Sequence, residues 1–171
     1  MRIALLSAYD AHSHRRGHQG LRYHLPEHDW RLWALPPRHF RWRIRGNGLT
    51  WGRGEPALAA ADFDLLLATS MTDLATLRGL LPALSPVPTV VYFHENQFAY
   101  PLSERASGGA EPQVVNLYTA LAADTLLFNS EHNRTTFFDG ARTFLERMPD
   151  GVPAGIIDEL ARRSAVLPGP L

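Results

Sequence analysis

The sequence predicts an α/β fold, a doubly wound and mainly parallel sheet with helices on both faces. Three observations carry this expectation. Short apolar runs alternate with longer segments of helical period along the 171 residues, the pattern of βαβ units with right-handed crossovers. Some runs, FDLLLATS above all, are continuously apolar rather than alternating, as strands covered on both faces must be. Polar residues gather after the runs and not before them, on the edge where open α/β sheets bind their ligands.

The elements follow in order. RIALLSA (2–8) reads as the first strand. The loop at 10–17 leads to helix character over 18–28, with Pro26 near its end. DWRLWALP (29–36) reads as a second strand, and residues 36–56, basic, aromatic and rich in glycine and proline, as a long connection of the kind that often carries function. A short helix is predicted over 55–61, a third strand over 63–70 and a helix over 71–84 with Leu74, Leu77, Leu81 and Leu84 on one side. PTVVYFHE (88–95) is the fourth strand, 103–112 a Gly- and Ser-containing loop, and 112–123 a helix with proline in its first turn. DTLLFNS (124–130) is the fifth strand. Helices over 133–148, with Gly140 as a weak point, and 153–164 precede a last short strand or exit at 164–171. No repeat of fixed period and no low-complexity tract interrupts the series.

Composition fits one globular domain spanning 1–171: 45% apolar and 20% charged, with zero formal net charge. The whole-chain field therefore favours neither nucleic acid nor membrane, and any basic surface must be local. The absence of cysteine removes disulfides, thiolate metal sites and a thiol nucleophile together. No signal-like start and no apolar run near the ~18 residues of a membrane span is present. The expectation is a cytoplasmic protein with no membrane partner.

The predicted strands deliver their polar residues to one edge. Ser7, Tyr9, Asp10, Ser13 and His14 follow the first; Thr69, Ser70, Met71 and Thr72 the third; His94, Glu95, Asn96 and Gln97 the fourth; Asn129, Ser130, His132 and Asn133 the fifth. For Asn129-Ser130 and for Ser70 to Asp73 two readings stand, a ligand site or helix N-caps. HENQ resists the second reading, because no cap needs four such residues and His and Glu at a strand end rarely serve packing. The i,i+4 pairs His14/His18 and His24/His28 have the spacing of metal ligands on a helix. Pro26 interrupts the second pair and no carboxylate motif accompanies either, so they read as surface histidines and no metal site is expected. No Gly-rich phosphate fingerprint or G-x-S-x-G elbow follows any strand, which argues against a dinucleotide or P-loop nucleotide in this domain and against a hydrolase serine. In RHFRWRIR, Arg41, Arg43 and Arg45 share one face if the chain is extended. Either they meet phosphates and bases together with Trp42, or the segment is a solvated edge with Trp42 and Ile44 in the core.

FDLLLATSMTDLATLRGL, YFHENQFAYP, EPQVVNLYTALAADTLLFNS and RWRIRG together resemble the N-terminal domain of the glycosyltransferase-like family of tRNA-queuosine α-mannosyltransferases. The resemblance runs over nearly the whole chain, and HENQ-x-x-YP is its most specific block. It implies a Rossmann-like domain forming the N-terminal half of a GT-B enzyme, with the sugar-nucleotide domain lying outside this chain. The first loop departs from the family pattern, reading Ala11-His12-Ser13-His14 in place of glycines, with Gly17 where a bulkier residue is expected.

From the resemblance follow the expected roles. The reaction is retaining transfer of mannose from GDP-mannose to queuosine in a tRNA anticodon loop, with no metal and no cofactor; the isolated domain is expected to be inactive. His94 and Glu95 are the catalytic pair, His94 toward the donor sugar and Glu95 toward His94 or the acceptor diol. Ser13, His14, Thr69, Ser70, Asn96, Gln97, Tyr100, Asn129, Ser130 and Asn133 shape the substrate pocket. Arg41, Trp42, Arg43 and Arg45 meet tRNA. Competing readings are a GT-B transferase with another acceptor and a non-catalytic tRNA-binding module.

Overall fold

The computed structural model describes residues 1–60, 62–99 and 110–169. The predicted α/β class is correct. Six strands, β1 (Arg2–Ser7), β2 (Asp29–Ala34), β3 (Leu65–Thr69), β4 (Thr89–Phe93), β5 (Thr125–Phe128) and β6 (Ser164–Val166), form one sheet in the order β2-β1-β3-β4-β5-β6. Every neighbouring pair is parallel. The polar residues after each strand therefore do lie along one edge. The order reverses direction between β1 and β3, and such a switch point opens a crevice at the carboxyl ends of the strands.

The apolar runs explain the layers. On one face Ala4, Leu6, Leu66, Ala68, Val91, Phe93, Leu126 and Phe128 are fully buried. Phe93, Phe128, Phe137 and Phe138 interlock there, with Phe93 and Phe128 stacked at 4.6 Å and Phe137 tilted against both. The other face carries Leu67, Val90, Tyr92 and Leu127, all half-buried. Helix α1 (His12–His24) lies on this second face, and between it and the strands a cavity of about 610 Å³ remains.

Two predictions about connections fail. The first helix begins at His12, not near residue 18, so the loop reading of 10–17 holds only for its first two residues. The stretch 36–56 is not a long loop: α2 (Phe40–Gly54) runs through most of it, ending against α3 (Pro56–Ala59). Propensity argued against a helix so rich in glycine, and tertiary packing overrides it. Its buried stripe is Ile44, Asn47, Gly48, Trp51 and Gly52, a helical period made partly of residues without hydrophobic side chains. A Cβ on Gly48 would stand 3.0 Å from Thr76 Cγ2, and one on Gly52 2.9 Å from Leu80. The glycines let α2 lie directly on α4 (Leu74–Leu80). Arg41, Arg43 and Arg45 consequently do not share a face, because alternate residues on a helix point nearly opposite ways.

The remaining elements match expectation within a few residues: α4 and a 3₁₀ turn at Pro82–Leu84, α5 (Glu111–Ala122), α6 (Glu131–Glu146) and α7 (Ile156–Arg162). Most of the loop predicted over 103–112 lies outside the described residues. Helix α6 runs unbroken through Gly140, and Phe98 packs on it where a Cβ would collide with that side chain. Asp73 caps α4 through Thr76 N at 3.3 Å and Ser130 caps α6 through Asn133 N at 3.1 Å, each contributing about 1 kcal/mol. The cap reading of those two segments is thus correct for Asp73 and Ser130. Among the described residues no helix is long and apolar enough to cross a membrane.

Candidate functional site

Strand β4 ends on buried Phe93, and the chain then leaves the sheet with four polar residues in succession. His94 comes first. Its carbonyl oxygen accepts from Asn129 Nδ2 at 2.7 Å, which ties the end of β4 to the end of β5. The ring turns to the cavity side and is confined there. It stacks on His14 at 4.3 Å with the planes 19° apart, and meets the Tyr92 ring at 4.7 Å and 67°. A Cβ on Gly17 would lie 3.0 Å from His94 Cε1, so α1 passes close over the imidazole only because residue 17 is glycine.

Burial, and then the neighbouring His14, push the His94 pKa down to about 4, against the smaller upward pull of Glu95. The imidazole is therefore neutral at physiological pH and offers one donor and one acceptor. No described side chain takes either.

Glu95 is half-exposed, and His14 Nε2 lies 3.1 and 3.2 Å from its two oxygens. Its backbone carbonyl accepts from Ser70 Oγ at 3.0 Å. Asn96 turns the opposite way and is 1% exposed. Its Nδ2 donates to Asn133 O and Oδ1 and to Thr136 Oγ1, and its Oδ1 accepts the N–H groups of Phe98 and Ala99. Asn133 in turn donates to Phe93 O at 2.9 Å and Asn129 Oδ1 at 2.9 Å. Gln97 is half-exposed; its backbone N–H reaches Asn116 Oδ1 at 2.8 Å, and Asn116 also donates to Ser70 O at 2.8 Å.

The predicted residues divide accordingly. His14, His94, Ser13, Thr69 and Asn129 line one cavity together, with Glu95 bonded to its wall through His14. Asn96, Asn133, Ser130 and Ser70 direct their polar atoms into the protein, where they fix the loop that carries His94 and Glu95. Tyr100 lies outside the described residues.

His14 and His18 are not surface histidines. Both are buried, at 2% and 6% exposure, because α1 starts six residues earlier than the helical pattern suggested and turns both rings inward. Each faces a carboxylate: His14 faces Glu95, and His18 Nε2 sits 3.0 Å from Asp10 Oδ1. Burial lowers the His18 pKa in spite of Asp10. Asp10 is further held by Ser7 Oγ at 3.0 Å and Arg15 Nε at 3.2 Å. The exposed His24 and half-buried His28 do fit the surface reading. Among the described residues no cluster of His, Asp and Glu is arranged to hold a metal.

Sequence reasoning missed Asn116 and the floor of the cavity, misread His18 as a surface residue, and singled out Gly17 without seeing that it lies against His94. The floor is apolar, formed by Leu5, Leu67 and Leu127 with Leu21 above, and Leu167 to Gly169 close one side. Tyr92 holds that side by donating its hydroxyl to Leu167 O at 2.8 Å. One signal was available for Asn116: an amide in the middle of the apolar helix PQVVNLYTALAA must be bonded internally.

The basic segment also divides. Arg41 and Trp42 are exposed, Trp42 by 53%, so this tryptophan is not a core residue, whereas Ile44 is. Arg43 is half-buried. Arg45 is engaged by buried Asp73 at 2.6 Å and by Glu111 at 3.3 Å.

An apolar cavity bordered by a neutral imidazole, hydroxyls and an amide, with the Glu95 carboxylate bonded to its wall through His14, suits a ring that carries hydroxyls. It stacks the ring's carbon face and bonds its edge.

Residues 2–171 match the family described as tRNA-queuosine alpha-mannosyltransferase N-terminal. A tRNA-queuosine alpha-mannosyltransferase of Drosophila melanogaster is 32% identical over 165 residues, covering 96% of this chain and 43% of its own length. The chain thus spans less than half the length of that relative. No solved structure matches it.

Proposed function

Because the chain belongs to the tRNA-queuosine alpha-mannosyltransferase N-terminal family, we propose that it is the acceptor-side half of a GT-B glycosyltransferase that moves mannose from GDP-mannose to queuosine in tRNA. In this reading 1–171 is one Rossmann-like domain and works in the cytoplasm, and a second domain binds most of the sugar nucleotide. The observation that carries the reading is the His94 ring, neutral, confined on three sides and open to the cavity at the carboxyl edge of the sheet.

The chemistry follows from that geometry. As the C1–O bond to the diphosphate breaks, positive charge develops on the sugar ring. Neutral His94 bonds a sugar hydroxyl without placing a second positive charge beside that centre. The Glu95 carboxylate, held beside the cavity wall by His14, attracts the developing charge or accepts from a hydroxyl of the acceptor. Ser13, Thr69 and Asn129 border the space where the cyclopentenediol would sit, whereas the Gln97 side chain reaches toward Met71. Arg41 and Trp42, both exposed, form the RNA-facing part, by phosphate pairing and base stacking, and half-buried Arg43 points away from Arg41. Arg45 is left out of it by its two carboxylate partners.

The test uses the full-length protein with GDP-mannose and queuosine-containing tRNA. His94→Ala lowers mannosyl transfer by about a hundredfold or more and leaves the circular dichroism spectrum and tRNA affinity in place. Wild-type turnover by this variant would remove His94 from the reaction. Turnover only with a different hydroxylated acceptor would favour a related transferase.

A further inference from the structure

We propose that His14 is a positioning residue that joins Glu95 and His94 into one unit, holding the carboxylate through Nε2 and backing the imidazole with its own ring. The inference rests on the reading of this site as a sugar-transfer centre, and its test separates the two.

The geometry gives His14 both tasks at once. Its side chain is almost wholly buried, on the first turn of α1, 81 residues from its partner in sequence. Among the described residues no other group hydrogen-bonds or ion-pairs with the Glu95 carboxylate. Without the His14 N–H, a half-exposed glutamate would sample several rotamers, each pointing its charge elsewhere. The same imidazole forms a parallel wall 4.3 Å from His94. Tyr92 and the backbone at Gly17 confine His94 on other sides, but neither lies face-on to the ring. One side chain therefore sets the direction of a carboxylate and the plane of an imidazole.

The charged and titratable groups around His94 are His14, His18 and Arg16 from α1, and Tyr92 and Glu95 from the β4 side. Positive charge on His14 or His18 opposes protonation of His94, and Glu95 favours it. Removing His14 thus moves the His94 titration up, and neutralising Glu95 moves it down.

Two variants divide the tasks. His14→Gln keeps an N–H donor for Glu95 and loses the flat ring; His14→Phe keeps the ring and loses the donor. In the full-length protein each lowers kcat for mannosyl transfer by about ten- to a hundredfold, the cost of small misplacements at a reacting centre. KM for tRNA is unchanged, and the double change Glu95→Gln/His14→Phe loses no more than Glu95→Gln alone.

The second readout needs no sugar transfer. In imidazole NMR of this chain, the His94 midpoint, near pH 4 in the wild type, rises in His14→Phe and falls in Glu95→Gln. Wild-type kcat in both His14 variants overturns the proposal. So does an unmoved His94 midpoint in a folded His14→Phe protein. If the wild-type protein transfers no mannose at all, the sugar-transfer reading falls, and the NMR midpoint alone upholds or overturns the role of His14.

Discussion

HENQ after β4 and RWRIR at the start of α2 are the two stretches whose composition draws most attention, and the fold treats them differently. In HENQ the division falls along the chain. His94 faces the cavity and Glu95 is bonded to its wall through His14, while Asn96 points inward and is bonded on both ends of its amide. In RWRIR the division falls around a helix. Arg41 and Trp42 are exposed, Ile44 is buried, and Arg45 is tied to Asp73. A loop can give neighbouring residues opposite tasks; a helix assigns tasks by rotation. Density of polar or basic residues marks both regions, but only backbone geometry says which members remain available to a ligand.

The comparison breaks most sharply at Asn96. If it is the knot of the loop rather than a ligand group, Asn96→Ala strips partners from buried Asn133 and from two backbone N–H groups, at about 1–3 kcal/mol for each group left unpaired. Chemical denaturation of this chain then shows a loss of several kcal/mol. Stability within about 0.5 kcal/mol of wild type would return Asn96 to the list of surface-directed residues.

His94 and His18 supply a smaller effect with a defined sign. Both fold with depressed pKa values, His94 near 4, while the unfolded chain titrates near 6.5. Between those values the unfolded state binds more protons, so stability falls as the pH drops from about 6.5 towards 4 and is level above that window. In His94→Gln the slope shrinks. Urea midpoints measured across the window check it, and an identical slope in the variant would mean the ring is not sequestered.

The basic helix gives the smallest effect. If Arg41 meets RNA phosphates as proposed, Arg41→Ala reduces the salt dependence of tRNA binding by the full-length protein by about one unit of log–log slope per lost phosphate contact. Arg45→Ala leaves that slope alone and instead costs about 1 kcal/mol of stability. The reverse result would exchange their roles.

The sequence shows the sheet plainly, because strands buried on two faces read as unbroken apolar runs such as FDLLLATS. It hides α2, because the residues on that helix's buried stripe are Gly48, Gly52 and Asn47 as much as Ile44 and Trp51, and close approach leaves no hydropathy signal. The edge holding the site is legible, since a parallel sheet must place residues following the strands together. The partnership of His14 with Glu95 and His94 is not. It joins residues far apart in the chain through a helix whose first turn has no acidic or capping side chain to announce it. The cavity floor is equally silent, as Leu67 and Leu127 look like any core leucine.

Gly17 sets a limit on how this protein can be made more robust. Glycine in mid-helix costs α1 about 1 kcal/mol relative to alanine, and replacing such residues is a standard route to higher thermostability. Here the added methyl would press on His94 Cε1 at 3.0 Å. Gly17→Ala is therefore a place where helix stability and the seating of the His94 ring trade against one another: the extra methyl gains helix propensity and makes the imidazole give by a few tenths of an ångström.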